Sequence, residues 1–341
     1  MRAIANTPLR LPCRMGLGLL IAIVALPPAT AAETDALSPE GQVFKIHPAS
    51  EGAIQIDCDG ELFTRYQFRG APWPILYPLI GPTGVAMTRH YPLRTDVPGE
   101  PTDHPNHQSI WFAHGSVNGV NFWAVGDGMG TVEHDRILET SDGPTATLTA
   151  THRWMAPSGE VVCRDVTRLR FSATASARLI DYEITLQAGP SGLEMGDTKE
   201  GTMALRLHPR LQLIPDAKGK AAGANGRAVN SEGVAGAAVW GKPARWVDYS
   251  GEVDGQVVGI AMFDHPANPR HPTTWMARDY GLFAANPFGL HEFEGGAPGA
   301  GAMQIEPDES VTFRYLLVFH TGDAATGSIE ELYRQWAKAS D

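Results

Sequence analysis

Hydrophobic and polar residues alternate with a period of two along much of this chain, the pattern of strands with one face buried. Over Ala177–Ala188, residues Ile180, Tyr182, Ile184 and Leu186 fall on one face, and Asp181 and Glu183 fall on the other. Over Val311–His320, residues Val311, Phe313, Tyr315, Leu317 and Phe319 share a face. Leu316 and Val318 make the opposite face apolar too, so this strand is expected to be buried on both sides. Ile54, Ile56 and Cys58 alternate, and Asp59-Gly60 then offers a hairpin turn before Leu62, Thr64, Tyr66 and Phe68. The pair suits that turn because both central residues need positive φ. Further strands are expected around 145–155, 162–172, 203–213 and 257–263.

One helix is expected, at the C-terminus. Ser328 and Glu331 fit a capping box, and Ile329, Leu332 and Trp336 lie on one side of the helix. The Gly- and Ala-rich segment 214–238 reads as a long loop. Strands of the same pattern flank it, so residues 33–341 read as one domain. The fold class expected is all-β, a large antiparallel β-sandwich with a short C-terminal helix, and the 37 Gly and 26 Pro suit its many turns.

The first 32 residues read differently. Arg2, Arg10 and Arg14 precede or flank an apolar run from Met15 to Leu26, and Ala29-Thr30-Ala31-Ala32 follows. That order marks a secretory signal peptide, cleaved after Ala31 or Ala32. The run is too short for a membrane anchor, which needs roughly 20 residues. The chain is therefore expected to be exported, to the periplasm or the cell exterior. Losing the three leader arginines takes the formal charge from −11 to −14. So acidic a chain repels nucleic acid and anionic lipid, which leaves neutral or cationic small molecules as partners. Cys58 and Cys163 remain after cleavage, either as a disulfide or as two buried apolar side chains.

Three polar clusters carry candidate chemistry. The first is Asp103-His104-Pro105-Asn106-His107-Gln108-Ser109-Ile110-Trp111-Phe112-Ala113-His114-Gly115. Pro105 breaks a helix here, so the H-x-x-H spacing is not a helical metal pair. From Ser109 onward a strand is expected, with Ser109, Trp111 and Ala113 on one side and Ile110, Phe112 and His114 on the other. Imidazoles titrate near neutrality and suit general acid–base work, which makes His104 and His107 catalytic candidates. In the second cluster, Asp197 to His208, Glu200 is a candidate catalytic carboxylate and Arg206 a substrate clamp with a fixed fork of donors. The third runs from Trp240 to Gly289 and contributes Arg245, Trp246, His265, His271 and Arg278 as candidate substrate contacts, alongside Trp111 and His114. Tryptophans beside polar side chains suit a sugar, which stacks a C–H face and bonds through its hydroxyl rim. No G-x-S-x-G elbow, P-loop, dinucleotide fingerprint or C-x-x-C pair occurs, so nucleophilic serine or cysteine chemistry has no support.

The motifs Tyr77-Pro78-Leu79-Ile80-Gly81-Pro82, His104 to Gly115, Thr198-Lys199-Glu200-Gly201, Trp240-Gly241-Lys242-Pro243-Ala244-Arg245-Trp246 and Phe263–His271 resemble the PmoA-like family of unknown function. The resemblance runs from about residue 50 to 320. That family's loop more often reads His-Pro-His-His-Arg-Ser, from which Asn106 and Gln108 depart. The family name borrows that of a membrane methane oxygenase subunit, yet the mature chain offers no apolar stretch long enough to span a bilayer. The resemblance implies a supersandwich similar to galactose mutarotase. The function expected is a carbohydrate-active protein, acting on a neutral sugar or glycoside through His104, His107 and Glu200. Two alternatives stand beside it: a non-catalytic glycan-binding protein, and an enzyme holding a divalent metal with His104, His107 and a third ligand from 265–271. No cofactor is otherwise expected.

Overall fold

The computed structural model describes residues 42–213 and 223–338, so the expected signal peptide and part of the 214–238 loop lie outside the described residues. In chain order the strands begin with β1 (Phe44–Ser50), β2 (Ala53–Cys58), β3 (Glu61–Gln67), β4 (Ile75–Leu79) and β5 (Ile110–His114). Next come β6 (Thr131–Ser141), β7 (Ala146–Met155), β8 (Val161–Ala173), β9 (Ala177–Ala188), β10 (Leu193–Met195) and β11 (Gly201–Arg206). The remainder are β12 (Arg227–Asn230), β13 (Trp246–Val253), β14 (Gln256–Asp264), β15 (Thr274–Ala277), β16 (Leu282–Asn286), β17 (Met303–Ile305) and β18 (Ser310–Thr321). Two helices complete the set, α1 (Leu290–Glu294) and α2 (Ile329–Lys338).

Sixteen of these strands form two antiparallel sheets of eight. The first has the order β1-β2-β3-β4-β5-β11-β16-β15 and the second β12-β13-β14-β18-β9-β8-β7-β6. Their apolar faces meet. Phe63 of β3 stands edge-on to Phe171 of β8 and Phe319 of β18, and Phe112 of β5 packs on Trp154 and Phe313. This is the β-sandwich expected from the alternation.

The faces read from sequence hold in the second sheet. Ile180, Ile184 and Leu186 of β9 face the other sheet, as do Phe313, Tyr315, Leu317 and Phe319 of β18. Leu316 and Val318 point outward and are also buried, because α2 lies on them with Ile329, Tyr333 and Trp336. The double burial of that strand therefore has a cause, a helix laid across the outer face. The capping box is not formed as expected. Ser328 takes a left-handed conformation (φ 52°), and its carbonyl, not its hydroxyl, accepts the Glu331 N–H at 3.0 Å.

Asp59 and Gly60 make the predicted turn, both with positive φ (54° and 82°). A Cβ at Gly60 would meet nothing within 4 Å, so substitution there tests backbone strain alone. Gly60→Ala is expected to cost about 1 kcal/mol in urea denaturation, the penalty of a left-handed L-residue. The alternation beyond the turn shifts, however. Asp57 pairs with Leu62 and Ile56 with Thr64, leaving Phe63 as the extra residue of a bulge, and Phe63 and Thr64 are both fully buried. The strand expected over 203–213 ends at Arg206 and gives way to a 3-10 turn at Pro209–Leu211, since Pro209 has no N–H for a ladder. Cys58 and Cys163 are free and buried.

Candidate functional site

The outer face of the first sheet, away from the second, carries the densest polar chemistry. Because Phe112 of β5 faces the core, Trp111 faces out. On β11, Met203 and Leu205 pair across from Phe112 and Ile110 inside, which turns Ala204 and Arg206 outward. Arg206 is 1% exposed. Its Nη2 donates to both Asp103 carboxylate oxygens at 3.0 and 3.1 Å, and its Nη1 lies 3.2 Å from His107 Nδ1. The Tyr280 ring, on the turn between β15 and β16, lies 4.8 Å beneath the guanidinium carbon.

A second arginine reaches the same carboxylate. Arg89 is fully buried and donates from Nη1 to Asp103 Oδ1 at 2.7 Å, and from Nη2 to the carbonyls of His104 and His107. The loop 103–107 is therefore pinned through both its acid and its backbone. His104 completes the group, its Nδ1 2.5 Å from Asp103 Oδ2. His104 and Ser109 both hold left-handed backbones (φ 47° and 52°), a conformation that costs energy and collects at functional loops.

Aromatic rings line the cluster. His104 is parallel to His107 at 4.7 Å and to Tyr280 at 5.2 Å. His107 stacks on Trp111 at 5.7 Å, and Trp123 leans on both. Electrostatics then separate the roles. Burial lowers the His107 pKa, and the charges of Arg206, His104 and Arg89 lower it further, to about 2. Burial raises the Asp103 carboxyl, but the His104 N–H and the two arginines outweigh it and hold the acid well below its ordinary range. Burial raises the Tyr280 phenol, which also senses the charges of Arg278, Arg206, Glu200 and Asp103.

Five described histidines sit on aspartates, in different surroundings. His152–Asp165 and His320–Asp248 are sealed inside. The first bridges the sheets through Tyr66, whose OH lies 2.6 Å from His152 Nε2. His47–Asp57 is an exposed pair on the edge strands, and His271–Asp264 ends on the Tyr333 hydroxyl. His104 is as exposed as His47, at 46% of its side chain, but its aspartate also pairs with two buried arginines.

A model of the family of unknown function DUF6807 matches residues 53–334. The chain belongs to DUF6807. That agrees with the expectation of a family of unknown function, while the PmoA-like name rests on the sequence motifs. No curated protein matches this DUF6807 chain. Among solved structures, an alpha-galactosidase from Lactobacillus brevis is 10% identical with a TM-score of 0.37, covering 82% of this chain and 40% of that one. The DUF6807 chain thus spans less than half of that enzyme. A galactose mutarotase related enzyme from Lactobacillus acidophilus is 7% identical with a TM-score of 0.31, over 82% of this chain and 97% of its own. Likeness at this level bears on neither substrate nor mechanism.

The DUF6807 structure gathers some predicted residues and disperses others. His104, His107, Trp111 and Arg206 come together. Glu200 stands at the head of β11, 3.3 Å from Lys199 Nζ, where its charge acts on Tyr280. Arg278 lies at the rim, 3.7 Å over the Trp240 ring. His114 does not join them. It faces the sandwich interior, against Phe288, with Nε2 2.7 Å from the Gly196 carbonyl.

Arg245, Trp246, His265 and His271 do not join them either, since all four contact α2 on the outer side of the second sheet. Arg245 and the Trp246 indole N–H donate to Glu330. His265 packs edge-on to Trp336, and His271 reaches Tyr333. The proposed metal trio also fails on geometry. His104 and His107 each commit Nδ1 elsewhere, the 265–271 loop belongs to the α2 network, and no three His, Cys, Asp or Glu among the described residues are placed to share an ion. Sequence reasoning missed Arg89 and Tyr280. Nothing in Met87-Thr88-Arg89-His90 singles out Arg89, whereas Tyr280 lay in a motif whose Arg278 drew the attention.

Proposed function

We propose that the chain is a carbohydrate-active enzyme that works on a sugar or glycoside by acid–base chemistry at the outer face of the first sheet. The Asp103–His104 pair carries this reading. Asp103 accepts the Nδ1 proton and so leaves Nε2 of a half-exposed imidazole free to take a proton from a ligand. Tyr280 offers a ring face beside His104, while Arg206, Trp111 and Trp123, all buried, hold the two imidazoles in place. Glu200 is the second proton-transfer group. His107 is reassigned, because an imidazole held neutral to about pH 2 cannot cycle a proton near neutrality, yet remains a fixed hydrogen-bond donor.

The test is turnover of a panel of free sugars and glycosides followed by NMR. His104→Gln is expected to lower turnover about 100-fold with the melting temperature preserved, the usual contribution of a positioned base. Unchanged turnover would remove His104 from the mechanism, and saturable binding without any product would leave a glycan-binding protein instead. Export and a single domain over 33–341 belong to the same proposal. They are supported by the leader pattern and by the sandwich, and among the described residues no helix is long and apolar enough to cross a membrane. Mass spectrometry of the secreted form would check cleavage near Ala31.

A further inference from the structure

We infer that the substrate is a sugar bearing a carbonyl group, with His104 removing a proton from the carbon beside it while His107 donates a hydrogen bond to the carbonyl oxygen. The inference rests on the acid–base sugar reading above and narrows it. Its basis is the pair of opposite tautomers. Arginine can only donate, so the 3.2 Å contact from Arg206 Nη1 makes His107 Nδ1 the acceptor, and the proton of this neutral ring sits on Nε2. Asp103 can only accept, so the 2.5 Å contact puts the His104 proton on Nδ1 and leaves Nε2 basic. The rings are parallel within 2°, with centroids 4.7 Å apart. A base and a neutral N–H donor thus stand side by side, backed by the buried Arg206 charge.

A neutral imidazole N–H suits an oxygen that gains negative charge, because it stabilises the charge without surrendering its proton. In the step this allows, the C–H bond next to the carbonyl breaks and its proton moves to His104 Nε2. The C–H electron pair forms a C=C bond, and the carbonyl π pair moves onto oxygen, which His107 holds. Return of a proton from His104, after exchange with solvent, to the same carbon reverses the electron flow and gives hydrogen exchange at that carbon without any co-reactant.

The experiment incubates the full chain in D2O with a ketose, an aldonolactone and a methyl glycoside that has no free carbonyl, and follows ¹H NMR. Loss of the proton beside the carbonyl is expected for at least one of the first two and not for the glycoside. His107→Gln should slow that exchange about 100-fold, with Kd shifted less than about threefold. Equal rates in the variant, or no exchange in any carbonyl sugar, overturns the inference. Product from the methyl glycoside without exchange would overturn it while sparing the acid–base reading, and failure to bind any sugar would sink both. Should the variant not fold, ¹⁵N spectra of the wild-type imidazoles at pH 6 decide. The inference requires His107 protonated at Nε2 alone, and a proton on Nδ1 refutes it.

Discussion

Asp103→Asn is expected to destabilise the fold by about 3 kcal/mol at pH 7, read as a lower urea midpoint with an unchanged slope. The wild-type carboxylate is the shared counter-ion of Arg89 and Arg206, whose side chains are 0% and 1% exposed. Removing one partner of a buried ion cluster leaves charge without compensation, which costs about 3–5 kcal/mol. The low end applies because 34% of the Asp103 side chain still faces water. The pH dependence gives a second reading. A carboxyl held below its ordinary range contributes stability above the unfolded value of about 4, and loses it as pH falls toward the folded one. The gap between wild type and variant should therefore be full at pH 6 and shrink below about pH 4. A constant gap across that window would show that Asp103 acts through packing alone.

Phe63→Ala is expected to cost about 4 kcal/mol, within the usual range for truncating a buried aromatic. The ring meets Phe44, Phe171 and Phe319 edge-on at 6.0–6.2 Å and has the Arg178 guanidinium above it. It is a contact between the two sheets that the bulge delivers to the interior. Phe63→Leu should recover most of the loss, since it refills much of the volume. Thermal and urea unfolding of both variants checks this, and a cost below about 1 kcal/mol for the alanine would mean that the neighbours close over the gap.

These two residues mark where the sequence was readable and where it was not. Strict alternation exposed β9 and β18, and Asp-Gly exposed the hairpin of β2 and β3, because a pleated strand and a tight turn are set by local geometry. The alternation of Leu62, Thr64, Tyr66 and Phe68 passed over Phe63, because a bulge changes the period by one and no residue type announces it. In the site, the 104–109 loop and Arg206 were legible as polar residues clustered beside a strand. Their meeting with Arg89 and Tyr280 was not, since it depends on pairing between β5, β11 and β16, far apart in the chain. His265, His271, Arg245 and Trp246 show the opposite error. Their side chains resemble a binding loop in composition, but Arg245, Trp246 and His271 bond to a helix and His265 packs on it.

The placement of β5 and β11 has a consequence for biogenesis. His107 and Arg206 are 99 positions apart in the chain, and the consecutive hairpins of β6 to β9, which belong to the other sheet, are threaded between them. Neighbouring strands can zip early, while distant ones must first close a long loop. The 103–107 loop is thus expected to gain its arginine only after the intervening meander has settled, and the burial of the Arg206–Asp103 ion pair during refolding would serve as a clock for the final assembly step.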